Sequence, residues 1–193
     1  MARTVNREQY FEVAFELLPQ AGFKGLNIGL MCRELGVTSG SFYHHFGSWD
    51  GFVEAFLSHW ERMQGGRMRE MAFGAGDVRR DLDALRELTV GLPHAAEAAI
   101  RAWSDTNEVV RASVIRVDQT RFATLAEVTM RVIGDAERTL VISSVALASL
   151  VGYQQLLRAG EEYASIDKLI EAYNMLLDAQ LRSDADRQRE TGT

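Results

Sequence analysis

Thr38, Ser39, Gly40, Ser41, Tyr43, His44 and His45 crowd one short stretch of this chain. They fall inside a run, Asn27 to Phe46, that reads as short helix, turn, short helix. Leu35, Val37, Phe42 and Phe46 are spaced to plug the angle between the two helices, and Gly36 permits the turn. A helix-turn-helix lays its second helix in the major groove of DNA, with small and polar side chains near the N-terminus reaching base edges. A second helix this short has little core to serve, so Tyr43, His44 and His45 stand available for contact. The competing reading of the spacing is a buried helical hairpin. Other chemistries find less support. The chain has no Gly-rich phosphate loop, no metal-spaced His/Cys/Asp set and no nucleophile elbow. His44 and His45 are adjacent and so do not share a helix face for a metal. His94 and Glu97, on an Ala-rich helix, lack catalytic partners. No enzyme activity, cofactor or metal is expected.

The elements around this stretch are helical. The chain has 193 residues, 47% apolar and 25% charged, with only 2 prolines. That is a Pro-poor globular profile with enough apolar residues for a core. No convincing strand alternation is found. Tyr10, Phe11, Val13, Ala14, Leu17 and Leu18 form the stripe of a first helix that should stop between Pro19 and Gly22. Asn27 is placed to cap a second helix over 28–35, and Thr38 or Ser39 a third running to about His45. Ser48 is placed to cap a fourth helix, with Asp50 in its first turn, reaching about Phe73 although Gly65–Gly66 weakens it. Further helices are expected at 78–91, 94–104, 108–132, 136–160 and 166–182. The fold class is all-α with about nine helices. The expected organisation is a helix-turn-helix domain over 1–47, a larger helical domain over 48–182, and a disordered polar tail over 183–193.

Met1 to Glu8 has no apolar run of the kind a signal peptide needs. The longest uncharged apolar candidate, Leu140 to Tyr153, is short for a membrane span and carries Ser143, Ser144 and Ser149. Cys32 stands alone, which excludes an internal disulfide. A cytoplasmic location is expected, without membrane association.

The segment also resembles a known family. Ala14 to Leu18, Ala21-Gly22-Phe23, the run Leu35 to Ser48, and the aromatic positions Phe52 and Phe56 are similar to the N-terminal domain of the TetR family of transcriptional repressors over residues ~8–60. Thr38 stands where the pattern usually has Ser, and Phe42 where it has Leu. The resemblance implies that Asn27, Thr38, Ser41 and His45 contact phosphates or cap helices. It places Ser39, Gly40, Tyr43 and His44 on the face that meets bases or flanking backbone, and lets Arg33 reach a phosphate. Simple capping by Asn27 and Thr38, packing of Tyr43 and idle surface histidines remain open. Two departures stand out. Trp49 replaces a common Lys at the start of the fourth helix, so a phosphate cation is missing and its indole either donates or packs. Gly29 and Leu30 replace a polar pair on the second helix.

The same resemblance implies a ligand-responsive regulator that binds a palindromic operator on double-stranded DNA as a homodimer. The dimer would form through helices 136–160 and 166–182. Leu140, Val141, Ser144, Leu147, Ala148, Val151 and Gly152 would face Ile166, Leu169, Ile170, Tyr173, Leu176 and Leu177. A small apolar or amphipathic effector would meet Phe56, His59, Trp60, Met63, Ile100, Trp103, Phe122 and Tyr153, although each aromatic also suits a plain core. The alternative function is a helical ligand- or partner-binding protein with weak or lost DNA binding. The charge bears on that choice. The whole chain carries net −6, and nucleic-acid binders usually show a basic footprint. Within residues 1–60, Arg3, Arg7, Lys24 and Arg33 stand against six carboxylates. Yet Val37 to Trp49 contains no Asp or Glu. This pattern predicts DNA binding with few phosphate cations, reliant on hydroxyls, backbone N–H groups and helix N-termini.

Overall fold

The computed structural model describes residues 5–70, 76–160 and 164–191; the side chains of 66–70 and 181–191 are not described. The described residues form nine α-helices and no strand. They are α1 (Arg7–Gly25), α2 (Ile28–Leu35), α3 (Ser39–Phe46), α4 (Trp49–Glu70), α5 (Val78–Val90), α6 (His94–Ser104), α7 (Glu108–Ile133), α8 (Ala136–Arg158) and α9 (Ile166–Thr191). Two compact units divide them. The first takes α1 to α3, α4 as far as Gln64, α6, the start of α7 to Val117, and 157–159. The second takes the described parts of 65–92, 118–156 and 160–193. The unit that holds α1 to α3 therefore extends well past residue 47.

The first unit is built on aromatic residues. Tyr10, Phe11, Phe42, Phe46, Phe52, Phe56 and Trp60 are all buried. The first helix begins with a capping box, in which Asn6 Oδ1 accepts from the Gln9 N–H and Gln9 Oε1 accepts from the Asn6 N–H, both at 3.0 Å. It passes through Pro19 and breaks at Gly22, whose φ of 60° is left-handed, before a last turn to Gly25. The expected stop is therefore made by Gly22, with exposed Pro19 tolerated inside the helix. Helix α6 packs along α1. Its buried Ala96 and Ala99 let the two backbones approach, and Trp103 stacks on Phe23 with centroids 6.0 Å apart. Glu97, fully buried on α6, accepts from the Trp60 indole N–H and from the Gln64 amide, each at 3.2 Å, which ties α4 to α6.

The second unit has a thinner core. Its buried apolar residues, among those described, are Val128, Ile142, Leu150, Ile166 and Leu177. Polar ties supplement them. Arg131 pairs with the buried Asp81 carboxylate and also donates to the Gly76 carbonyl at 2.6 Å. Arg86 meets Asp167 at 2.6 Å, joining α5 to α9. The Tyr173 and Thr129 hydroxyls lie 2.6 Å apart, and burial pushes the Tyr173 phenol up from its ordinary value. Helix α9 continues to Thr191, so 183–191 is helix where a disordered tail was expected. Helix α8 is also longer than the candidate span read from sequence. It is uncharged from Thr139 to Leu157 and is long and apolar enough, by length and composition, to cross a bilayer, with a mean hydropathy of 1.6.

The α3–α4 turn is tight. The Ser48 hydroxyl accepts from the Gly51 N–H at 3.0 Å, which confirms Ser48 as the cap. A Cβ at Gly51 would collide with the Phe46 backbone oxygen, where no flexible side chain can give way. Helix propensity alone favours Ala over Gly by ~1 kcal/mol, whereas a clash of this kind typically costs about 1–3 kcal/mol. Gly51→Ala should therefore lower the unfolding free energy in urea by about 1 kcal/mol, the difference between the two effects. A variant as stable as the parent would show that the turn relaxes freely.

Candidate nucleic-acid interface

The helix-turn-helix geometry forms from local causes. Asn27 caps α2, its Oδ1 accepting from the Leu30 N–H at 2.9 Å while its Nδ2 donates to the Gly25 carbonyl at 2.9 Å. Gly36 ends α2 in the left-handed region, at φ 68° and ψ 35°. The Val37 N–H then donates to the Cys32 carbonyl at 2.9 Å and closes the turn. Thr38 takes the N-cap position of α3, but its side chain makes no capping bond. The exposed Thr38 hydroxyl is therefore not spent on the helix. The first turn of α3 carries no acidic residue, so its N–H groups and positive dipole end suit an anion.

The exposed face of α3 is the one expected. Ser39, Gly40, Tyr43 and His44 are exposed, and Tyr43 retains 51% of its accessible surface. Phe42 and Phe46, on the other face, are buried. Arg33 is exposed on the last turn of α2. Gly29 is exposed and Leu30 half-buried on α2, so neither supplies a polar side chain.

Two candidates are held from behind. Ser41 is half-buried, and its Oγ accepts from the Tyr10 hydroxyl at 3.1 Å. That bond orients the Ser41 hydroxyl and leaves its own proton to donate elsewhere. His45 is half-buried, with Nε2 2.8 Å from the Val5 carbonyl. A carbonyl only accepts, so Nε2 carries a hydrogen and Nδ1 faces the remaining side. His45 is thus turned toward the N-terminal segment, while Tyr43 and His44 stand outward. Trp49 is half-buried and packs on Phe52, with centroids 5.4 Å apart. It belongs to the edge of the core and supplies no cation.

Tyr10 is the residue behind this face that sequence reading missed. It counts there as one more apolar residue in the first stripe. A tyrosine at a fully buried position, where Phe would fill the space, signals a hydroxyl in need of a partner. Burial pushes the Tyr10 phenol up, as it does the Cys32 thiol beside it.

The eight effector candidates are divided between the two units. Phe56, Trp60, Ile100 and Trp103 are buried in the first unit, and His59 and Met63 are half-buried there. Phe122 and Tyr153 are half-buried in the second unit. Phe56 lies 4.7 Å from Phe15 and His59 4.7 Å from Phe11, between centroids, so both serve the aromatic core. Burial, followed by nearby Arg62, lowers the His59 pKa from its ordinary value. Among the described residues, no group of three or more His, Cys, Asp or Glu is placed to hold a metal.

Comparison with known proteins agrees with this geometry. The model of the family described as bacterial regulatory proteins, tetR family, matches residues 11–56. The HTH-type transcriptional repressor KstR2 of Rhodococcus jostii (strain RHA1) is 26% identical over 100 residues, which are 52% of this chain and 49% of that protein. The match thus spans about half the length of that curated relative. Solved structures of similar fold include a protein described as a transcriptional regulator from Saccharomonospora viridis, in complex with choline. It has a TM-score of 0.72 at 18% identity, over 89% of this chain and 95% of that one. A transcriptional regulator from Rhodococcus sp. Rha1 has a TM-score of 0.74 at 17% identity, over 93% of this chain and 97% of that one. The capped helix-turn-helix thus lies within residues 11–56, the stretch that matches the tetR family of bacterial regulatory proteins.

Proposed function

We propose that the chain is a cytoplasmic, non-enzymatic transcriptional regulator. It binds a palindromic operator as a homodimer and is released by a small apolar or amphipathic effector. The observation that carries the reading is α3 itself. Its exposed face holds Thr38, Ser39, Gly40, Tyr43 and His44, and no carboxylate occurs from Val37 to Trp49. In this reading residues 1–47 read DNA, with Asn27, Arg33, Ser41 and His45 around that face, and 48–182 bind effector and partner. The repressor description of KstR2 and the choline bound by a chain of this fold support it. Effector contacts are sought separately in each unit, at the half-buried His59 and Met63 of the first and the half-buried Phe122 and Tyr153 of the second, since the buried aromatics already fill core positions. Binding would act through α4, which follows α3 after only Gly47 and Ser48 and is tied to α6 at Glu97. The effector must favour one arrangement of α4 over the other, or it shifts nothing.

The homodimer rests on the second unit. Leu140, Val141, Val145 and Leu156 on α8, with Met175 and Leu176 on α9, are large apolar side chains that remain exposed. Only 17% of the most apolar stretch of α8 is buried within the chain. Each such side chain gains ~1.5–3 kcal/mol when fully covered. A second copy of the same two helices covers them reciprocally, as a two-fold interface requires. The polar groups buried along α8, Thr139, Ser143 and Gln154, suit a helix packed on protein better than one in lipid.

One observation favours the alternative, a helical ligand- or partner-binding protein with lost DNA binding. Trp49 packs inward where a cation would meet phosphate. Selection of duplexes from a randomised pool separates the two readings. The regulator should enrich a palindrome, and log affinity should fall with log salt at a slope smaller than ~5, below that of 6–10 neutralised phosphates. Tyr43→Ala and His44→Ala should weaken binding to that palindrome while leaving the melting temperature unchanged. No enrichment at low salt would establish the alternative. In sedimentation, the parent should run at twice the 21.6 kDa chain mass and Val141→Asp as a folded monomer. A monomeric parent would contradict the interface.

A further inference from the structure

Trp49 is half-buried against Phe52 and offers no cation at the start of α4, whereas the first turn of α1 holds an exposed one. We propose that Arg7 is a DNA-backbone contact, a phosphate cation supplied from α1 to the C-terminal end of α3. The inference rests on the DNA-binding reading above.

Three observations place Arg7. Its backbone is fixed, because the Asn6–Gln9 capping box closes around it and buried Val5 accepts from His45 Nε2 at 2.8 Å. Its guanidinium carbon lies 5.1 Å from the centroid of Phe46, the last residue of α3. The ring restrains the side chain without neutralising it. Arg7 remains exposed, and no carboxylate among the described residues forms an ion pair with it.

The position matters as much as the charge. A helix in the major groove, ~12 Å wide, has phosphates along both groove edges. The ends of α3 and whatever flanks them meet those edges. At the N-terminal end of α3 the chain offers hydroxyls and backbone N–H groups. At the C-terminal end Gly47, Ser48 and the packed Trp49 offer no cation, and Asp50 follows them exposed. Arg7, seated on Phe46, is a cation at that end, and its planar fork of donors matches phosphate oxygens. A side chain already restrained by an aromatic ring loses less freedom on binding.

The test uses full-length protein and a fluorescent duplex that the parent has selected from a randomised pool. Affinity is measured between 50 and 200 mM NaCl, a range over which phosphate contacts dominate the change. Arg7→Gln should weaken binding roughly tenfold at low salt. It should also reduce the salt slope by about 0.9 for each Arg7 engaged. The preferred base sequence and the melting temperature should not change, since a phosphate contact carries no sequence information. Arg7→Lys should restore most of the slope. Arg79→Gln, an equal loss of charge at an exposed site in the second unit, should leave the slope at the parent value. A parental slope and affinity in Arg7→Gln would overturn the proposal while the regulator reading stands. A slope reduced equally by Arg79→Gln would also overturn it, by showing an effect of net charge alone. A parent that selects no duplex would overturn both readings.

Discussion

Tyr10 combines two interactions that the exposed face of α3 depends on. Its ring meets Phe42 and Phe46 edge-on, with centroids 5.7 and 5.3 Å away. Its hydroxyl holds Ser41 on the same helix. Aromatic pairs of this geometry add ~0.5–1.5 kcal/mol each beyond the area they bury. Phe42 and Phe46 also pack on Phe52, so the wedge joins α1, α3 and the start of α4. An eight-residue helix cannot hold its shape in water unaided. The wedge below α3 is what gives Tyr43, His44 and the N-terminal hydroxyls fixed positions. Gly36 and Gly51 serve the same end from the turns on either side, one through its left-handed backbone and one through the close approach of Phe46.

Local rules carry most of the fold. Asn27 and Ser48 cap the helices they precede, Gly36 ends α2, and the 3- and 4-residue spacing of apolar side chains marks each helix. Where a rule names two residues, only packing decides. Pro19 and Gly22 are both breakers, and the backbone turns at Gly22 because exposed Pro19 can lie on the solvent side of α1. Thr38 occupies the cap position without making the cap. The polar stretch after residue 182 carries no apolar stripe, and so reads as a tail although α9 continues through it.

The candidate site was legible as a face and illegible as a network. Tyr43 and His44 stand out because polar and aromatic side chains on a short helix lack a core to enter. The bonds from Tyr10 to Ser41 and from His45 to Val5 join residues 31 and 40 positions apart, and no local spacing announces them. The effector candidates were the least legible. An aromatic on an apolar stripe looks the same whether it fills a core or lines a cavity, and Phe56, Trp60, Ile100 and Trp103 fill the core. The acidity of the chain is likewise informative only by position. Carboxylates are spread along α1, α4 and the second unit, and they spare α3.

The central claim is that α3, wedged in place by α1, is the surface that meets duplex DNA. Hydrogen–deuterium exchange of the full chain, with and without a selected duplex, tests it most directly. Added protection is expected to concentrate on residues 39–46 and on the first turn of α1, and to leave the exposed faces of α8 and α9 as they were. Protection that spares 39–46, or that falls mainly on α8 and α9, would contradict it.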